Sequence, residues 1–218
     1  RFGVGFDSVD QAQATARQLV VCNTPGVLDA SVAEHAIWLL GALARPILQT
    51  SKALKAGHWK PSSGREVSGQ TLAIVGYGRI GRRVASIAGL GLGMRVIAYD
   101  YLPLETMLRI CGVARAEELA SAYGTTLYTT DLKITLGEAD YVSVHLAVTP
   151  ETRGYFNGER LALIKRGACL INTARGALID ENALYDALAS GHLGGAALDV
   201  FQSEPYRPVD PQRDLRTL

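Results

Sequence analysis

The stretch "TLAIVGYGRIGRRVASIAGLG", residues 71–91, decides the fold. Its first residues are typical of a buried strand, and those from Arg79 onward have the pattern of a helix. Between them, Gly76, Gly78 and Gly81 match the GxGxxG pattern. In such a turn the first glycine permits the tight bend, the second lets the backbone approach a pyrophosphate, and the third lets the helix pack closely. The stretch therefore predicts a strand–turn–helix unit that binds phosphate groups at a helix N-terminus.

A second strand, residues 95–100, ends on an acidic residue. Asp100 lies about 20 residues past Gly81, where dinucleotide-binding domains carry the carboxylate that accepts hydrogen bonds from the adenosine ribose. A carboxylate there repels a 2′-phosphate, so the pattern favours NAD over NADP as the cofactor. The alternative is a solvated Asp that simply ends a strand. Arg79 and Ile80 are expected to offer backbone amides to the phosphates, and the Arg79 side chain is a further candidate for that contact.

Apolar runs and helical patterns alternate along the rest of the chain. Continuous apolar strands separated by helices indicate a parallel sheet covered on both faces. The predicted fold class is therefore α/β, a doubly wound parallel sheet of the Rossmann type. Predicted strands are 19–23, 71–76, 95–100, 125–129, 140–146, 168–173 and 194–200, and predicted helices after the glycine turn are 79–91, 116–124, 131–139, 157–167 and 180–191.

An apolar helix is predicted upstream of the glycine turn. Ser31 and Glu34 have the spacing of a capping box, which would start the helix at Ser31. The following residues, 32–45, are apolar nearly all the way round. Such a helix is buried on several sides, against a core or a partner subunit. Pro46 is expected to kink or end it.

Composition narrows the function classes. A net charge of +1 gives no electrostatic reason to expect nucleic acid or an anionic membrane as a partner. No apolar run approaches the roughly 20 residues of a membrane span, and no signal peptide is visible. Cys22, Cys111 and Cys169 lack metal-site spacing, so neither a metal centre nor a disulfide framework is expected. Cys22 and Cys169 are predicted to be small buried thiols in an intracellular, cytoplasmic protein.

Arg175 follows the predicted strand "ACLINT". In open α/β sheets, ligands bind beyond the carboxyl ends of the strands, and a guanidinium there offers two parallel hydrogen bonds to a carboxylate. Arg175 is thus a candidate clamp on a substrate acid. The alternative is a structural ion pair with Asp180 or Glu181.

Asp199 ends the last predicted strand, and Glu204 follows in the loop "QSEP". A carboxylate near the ligand crevice could orient a histidine and raise its pKa. The alternative for Glu204 is an ordinary loop charge. None of the four histidines is a convincing proton donor, and His35 is interpreted as a packed or interface residue.

In combination these motifs resemble the D-isomer-specific 2-hydroxyacid dehydrogenases. The resemblance covers nearly the whole chain in the order of that family. It is carried by "GVGFDSVD", "NTPGVLDASVAEHA", "VSGQTLAIVGYGRIG", "MRVIAYD", "ADYVSVHLAVTPETRG", "INTARGALIDENAL" and "SGHLGGAALDVFQSEP".

The resemblance implies an NAD-dependent oxidoreductase that moves a hydride between nicotinamide and C2 of a D-2-hydroxy or 2-oxo acid. It implies that Arg175 binds the substrate carboxylate with help from the "GVGFD" amides, that Glu204 pairs with a catalytic histidine beyond Leu218, and that the helix after Ser31 forms a homodimer interface. Cofactor contacts implied are Gly76, Gly78, Arg79, Ile80, Gly81, Asp100, Leu146, Thr173, Ala174 and Asp199; no metal is implied.

The same resemblance divides the chain. Residues 1–30 would connect from a substrate-binding lobe, 31–205 would form the NAD-binding domain, and 206–218 would start the return to that lobe, most of which lies outside this chain. Ala147 stands where the family usually has proline, and the span between Asp100 and Asp140 is longer than expected by roughly a dozen residues, which predicts a surface excursion. Two alternatives stay open: an NAD(H)-sensing interaction protein similar to the C-terminal-binding-protein corepressors, and a formate or phosphite dehydrogenase.

Overall fold

A six-stranded parallel sheet forms the centre of the protein, in the strand order β3-β2-β1-β4-β5-β6. The computed structural model describes residues 3–218. This order is that of the doubly wound dinucleotide-binding fold, with its switch point between β1 and β4. The predicted fold class is confirmed. The strands are β1 (Thr71–Val75), β2 (Arg95–Tyr99), β3 (Thr125–Thr129), β4 (Tyr141–Val144), β5 (Cys169–Asn172) and β6 (Gly195–Leu198).

Helices cover both faces of the sheet. Each face buries its own apolar cluster, one centred on the helices before and after β1 and the other on the helices around β4 and β5. No helix within residues 3–218 is long and apolar enough to cross a membrane. The α-helices are α1 (Gln11–Ala16), α2 (Asp29–Ala44), α3 (Ile47–Lys55), α4 (Arg79–Ser86), α5 (Leu104–Cys111), α6 (Glu118–Tyr123), α7 (Leu132–Glu138), α8 (Gly158–Ala162) and α9 (Glu181–Ala189).

The predicted strand at 19–23 is wrong. The segment is irregular, and Val20 is 89% exposed. Its polar contacts go to the start of the described chain, because Asn23 Nδ2 donates to the Val4 carbonyl at 2.9 Å. An apolar run becomes a strand only where a neighbouring strand pairs with it. Cys22 in this segment is exposed, so the predicted burial of its thiol is wrong as well.

Helix α2 begins two residues earlier than predicted. In the described part of the chain no side chain caps it, so the predicted capping box of Ser31 and Glu34 is wrong, and Asp29 provides the acidic first turn instead. A stripe that includes Ala36 and Leu40 is buried, while Trp38 is 75% exposed. The helix ends before Pro46, as predicted. Its apolar surface therefore exceeds what this chain buries.

The span between β2 and β4 contains more structure than a surface excursion. Helix α5 was not predicted, yet Met107 and Cys111 on it are buried in the core cluster beside α4. Helices α6 and α7 and strand β3 are confirmed. The extra residues therefore enlarge one face of the core. Helix α8 is shorter than the predicted 157–167, because its last residues form a turn into β5.

Candidate functional site

The carboxyl ends of the central strands lie in one row across the sheet. The register pairs Tyr99 with Val75, Val75 with Val144, Val144 with Asn172, and Asn172 with Leu198. The next residue of each strand therefore lies on one edge, and ligands bind at this edge in open α/β folds. These residues are Asp100, Gly76, His145, Thr173 and Asp199.

The glycine turn has the geometry that the sequence predicts. Gly76 has φ +98°, and a Cβ there would meet the His145 carbonyl carbon at 2.7 Å. A Cβ on Gly81 would collide with the Gly76 carbonyl oxygen, whereas one on Gly78 would have nothing within 4 Å. Gly76 and Gly81 are therefore required for packing, and Gly78 borders open space. No side chain among residues 3–218 caps the first turn of α4, so its amides, those of Arg79 and Ile80 among them, can bind phosphate oxygens.

Asp100 is held against this turn. Its Oδ2 accepts a hydrogen bond from the Tyr77 backbone N–H at 2.9 Å, its Oδ1 accepts one from the Leu102 N–H at 3.3 Å, and the residue is 8% exposed. A charged acceptor with two backbone donors is fixed in orientation. The carboxylate is not a freely solvated strand end.

The Arg79 side chain forms an ion pair with the start of α2. Its Nε donates to Asp29 Oδ2 at 2.7 Å, and a Cβ on Gly26 would collide with its guanidinium. Asp29 is buried at the start of α2. The Nε bond thus joins the glycine turn to α2, while the Arg79 side chain remains 64% exposed.

Strand β5 continues into a turn that is organised by Asn172. This buried side chain accepts from the Ala174 N–H at 3.0 Å and donates to the Arg175 carbonyl at 2.9 Å. Thr173 Oγ1 is buried without a hydrogen-bond partner among residues 3–218. An orphaned hydroxyl beside the strand ends is suited to a polar ligand.

After β4, His145 and Leu146 complete the middle of the row. The His145 ring shares a hydrogen bond with Ser143 Oγ at 2.8 Å. Desolvation lowers the pKa of His145 to about 4, so the ring is neutral near pH 7. Leu146 is half-buried and packs against the second core cluster.

At the far end of the row, Asp199 contacts helix α2. Its Oδ1 lies 3.2 Å from His35 Nε2, with both side chains about half exposed. The interpretation of His35 as a packed or interface residue missed this contact, because nothing in the sequence places α2 beside β6.

Arg175 extends from the same edge toward the first described residues. Its Nε donates to Asp7 Oδ1 at 3.1 Å, and its Nη1 donates to the Ala174 carbonyl at 2.7 Å. A Cβ on Gly5 would collide with the guanidinium. The ion-pair alternative is therefore met by Asp7, not by Asp180 or Glu181: Asp180 caps α9, and Glu181 binds the Gln202 N–H. Arg175 and Asp7 are each about one-third exposed.

Glu204 lies in the exposed loop after β6. Its Oε1 accepts from the Phe201 N–H at 3.1 Å. The structure therefore places Arg175 and Glu204 on loops that follow adjacent parallel strands, β5 and β6.

Besides the contact between His35 and Asp199, three polar contacts in this region were not foreseen, and they are made by Asp7, Asp29 and Glu181. Asp7 had a usable signal, since it ends the "GVGFD" segment that the resemblance placed beside Arg175. Asp29 and Glu181 had none, because an acid in a first helical turn is expected to be solvated and favoured by the helix dipole.

The edge therefore presents uncapped helix amides for a pyrophosphate, a fixed carboxylate for a ribose and an orphaned hydroxyl further along the row. That is the site of a dinucleotide-binding α/β domain. The sequence profile of the D-isomer specific 2-hydroxyacid dehydrogenase, NAD binding domain, matches residues 37–218, and the chain belongs to this family.

Known relatives agree in sequence and in fold. A glyoxylate reductase from Korarchaeum cryptofilum is 40% identical over 224 residues, which take in 100% of this chain and 63% of that protein. A D-3-phosphoglycerate dehydrogenase from Mycobacterium leprae is 45% identical over 207 residues, 94% of this chain and 36% of the relative. The crystal structure of D-lactate dehydrogenase from Aquifex aeolicus complexed with NAD and lactic acid has a TM-score of 0.78 and 35% identity, covering 93% of this chain and 57% of that chain. The chain thus spans about two thirds of these relatives or less.

Proposed function

We propose that the protein is an NAD-dependent oxidoreductase that transfers a hydride between nicotinamide and C2 of a D-2-hydroxy acid or 2-oxo acid. The observation that carries this proposal is the position of Arg175, one turn beyond the row of strand ends, with its Nε directed at a carboxylate of the 3–7 loop. The pairing with Asp7 supports a role in binding an acid, because this side of Arg175 already contacts a carboxylate. In this proposal residues 31–205 form the cofactor domain, and residues 1–30 and 206–218 connect it to the substrate-binding lobe. Arg1 and Phe2 lie outside the described residues.

NAD fits the residues at the edge. The α4 amides of Arg79 and Ile80 would hold the pyrophosphate beside Gly78, and Asp100 would accept both hydroxyls of the adenosine ribose. Leu146, Thr173, Ala174 and Asp199 would hold the nicotinamide half, with Asp199 accepting from the carboxamide. When bound, the cofactor supplies the hydride carrier.

The side chains after β5 and β6 have separate tasks in this proposal. Arg175 binds the substrate carboxylate together with amides of the 3–7 loop, which keeps C2 in register for transfer. Glu204 orients a histidine, which the family resemblance places beyond Leu218, and favours its protonated form. That imidazolium gives a proton to the ketone oxygen during reduction, and the neutral ring accepts one during oxidation.

We further infer a homodimer that works in the cytoplasm. Both tryptophans of the chain are exposed, Trp38 at 75% and Trp59 at 83%, and Leu48 between them is 70% exposed. Exposed apolar side chains on α2, on α3 and shortly after α3 are suited to contact with a second copy. Sedimentation of a Trp38→Lys variant should show a monomer where the unchanged protein shows a dimer. No disulfide links the cysteines within residues 3–218, as suits a reducing compartment.

Substitution of Arg175 in the full-length protein tests the function. Arg175→Ala should lower kcat/KM for 2-oxo acids by about a thousandfold, because the bidentate contact to the acid is lost. The dissociation constant of NADH, measured by fluorescence titration, should stay within about twofold. Unchanged kinetics would remove Arg175 from the carboxylate role. A panel of 2-oxo acids, formate and phosphite followed by NADH absorbance separates the main proposal from its alternatives, and binding without any turnover would favour an NAD(H) sensor.

A further inference from the structure

Glu181 is a buried carboxylate that the proposed reaction does not use. It begins α9, is 4% exposed, and its Oε1 accepts from the Gln202 backbone N–H at 2.6 Å. Its Oε2 is buried without a hydrogen-bond partner among residues 3–218. Desolvation raises the pKa of the Glu181 carboxyl. Stabilising a helix start needs no such burial, since Asp180 already caps α9. The contact with Gln202 therefore calls for another explanation.

Gln202 lies in the loop that carries Glu204. Its side chain makes a second tie, because Nε2 donates to the Ile179 carbonyl at 2.6 Å. Its neighbour Phe201 donates its N–H to Glu204 Oε1 at 3.1 Å. The loop is thus anchored twice to the start of α9, and the Glu204 carboxylate is bonded to the anchored part.

The same anchored segment lies directly on the residue after Arg175. A Cβ on Gly176 would collide with the carbonyl group of Phe201 and with the backbone nitrogen of Gln202. Only glycine permits this approach of the two backbones. The loops of Arg175 and Glu204 are therefore in backbone contact, and Glu181 holds the second against the first.

We propose that Glu181 is a positioning residue that fixes the Glu204 loop against the Arg175 turn by binding the Gln202 amide. The inference rests on the proposed function, since it assigns Glu181 a task only if Arg175 and Glu204 act together on one substrate. Glu181 does not touch the reacting atoms; its effect passes through the loop.

Two substitutions of Glu181 in the full-length protein test this role. Glu181→Ala should lower kcat by about ten- to a hundredfold, because displacement of a reacting group by about 1 Å can cost about a hundredfold. The NADH dissociation constant should stay within about twofold. Glu181→Gln keeps an acceptor for the Gln202 amide and should recover most of the activity. Hydrogen exchange gives a direct readout: the Gln202 amide should lose protection in Glu181→Ala and keep it in Glu181→Gln.

Asp180→Asn is the matched control, since it removes a charge from the same helix start without contacting the loop; it should leave both kcat and Gln202 exchange unchanged. The inference is overturned if Glu181→Ala keeps full kcat, if it weakens NADH binding as much as kcat, or if Glu181→Gln recovers nothing. Should Glu181→Ala not fold, Glu181→Asp keeps the charge but draws the carboxylate back from the Gln202 amide, so it should lower kcat with NADH binding intact; unchanged kcat there overturns the inference equally.

Glu204→Gln distinguishes a failure of the proposed function from a failure of the positioning role of Glu181. Full activity of Glu204→Gln would contradict the proposed function. Loss of activity in Glu204→Gln together with full activity in Glu181→Ala would contradict the positioning role alone.

Discussion

At one end of the sheet edge Asp100 is bonded to the Tyr77 amide, 23 residues away in the chain, and at the other end Arg175 is bonded to Asp7, 168 residues away. We call residues 71–100, with the proposed pyrophosphate and adenosine contacts, the cofactor end. Residues 169–205, which carry the proposed substrate contacts next to those of the nicotinamide, are called the substrate end. Asp100 is 8% exposed, whereas Arg175 and Asp7 are exposed by 37% and 34%. The two ends thus differ in the sequence separation of their contacts and in their exposure to solvent.

The difference is the one that the proposed ligands of the two ends would require. A pyrophosphate and a ribose can be held by one strand–turn–helix–strand unit, because helix amides and a single carboxylate supply the contacts. A small acid must be enclosed from several sides, so its ligands come from remote segments that meet only in the folded protein. Changes at the substrate end should therefore have little effect on cofactor binding at the cofactor end. Changes at the cofactor end should likewise have little effect on the stability of the substrate end.

The largest expected effect that tests this separation is on cofactor binding. Gly78→Val places a side chain in the open space beside the α4 amides, where nothing lies within 4 Å. The NADH dissociation constant should rise about a hundredfold, or ~3 kcal/mol, while the free energy of unfolding changes little. Fluorescence titration and urea unfolding measure the two quantities on the same sample.

Gly81→Ala is the contrasting control for Gly78→Val. Its Cβ would collide with the Gly76 carbonyl oxygen, so we expect the free energy of unfolding to fall by about 1–3 kcal/mol, as for overpacking in general. A Gly78→Val protein that unfolds as easily as Gly81→Ala would show that the second glycine also serves packing and would break the distinction.

A smaller effect is expected at Asp100. Asp100→Ser removes the charge that we propose accepts from the ribose and repels a 2′-phosphate, so NADH affinity should fall about tenfold, or ~1.4 kcal/mol. NADPH affinity should rise in the same titration. Wild-type preference for NADPH would contradict the assignment of Asp100. Turnover at saturating cofactor should be nearly unchanged, since the substrate end is untouched.

The same difference explains which parts of the structure the sequence could predict. At the cofactor end, the glycine spacing, the strand before it and the acid after it are all local, and each was placed correctly. Helix α5 was missed because the burial of its apolar residues depends on a core cluster formed with remote elements, which its own short pattern does not indicate. The strand predicted at 19–23 failed for a related reason: an apolar run carries no information about whether a pairing partner exists.

At the substrate end, residue types were predictable but partners were not. Arg175 was singled out by its place after a strand, yet its contact with Asp7 depends on the chain returning to the same edge. Glu181 illustrates the limit most clearly. The same residue at the start of a helix is compatible with a solvated charge or with a buried ligand of Gln202, and only the packing of the 199–205 loop decides between them.

The smallest expected effect is a loss of stability at acidic pH, and it should arise from His145, which is adjacent to the cofactor end. His145 lies against Gly76, and its pKa is about 4 in the folded protein and 6.5 when solvated. Between these values the unfolded chain binds a proton that the folded protein does not, so the free energy of unfolding falls as the pH is lowered from 6.5 toward 4. At pH 5.5 the loss should be on the order of 1 kcal/mol.

His145→Asn should remove this part of the pH dependence, because an amide does not titrate in the range. The test compares urea unfolding of both proteins at neutral pH and near pH 5.5, and only the difference between their slopes is assigned to His145, since carboxylates titrate in both. Equal slopes would mean that the ring is solvated enough to bind its proton in the folded state. The strand end at His145 would then be as accessible to solvent as the substrate end. The contrast between the two ends would be confined to Asp100 and the glycine turn.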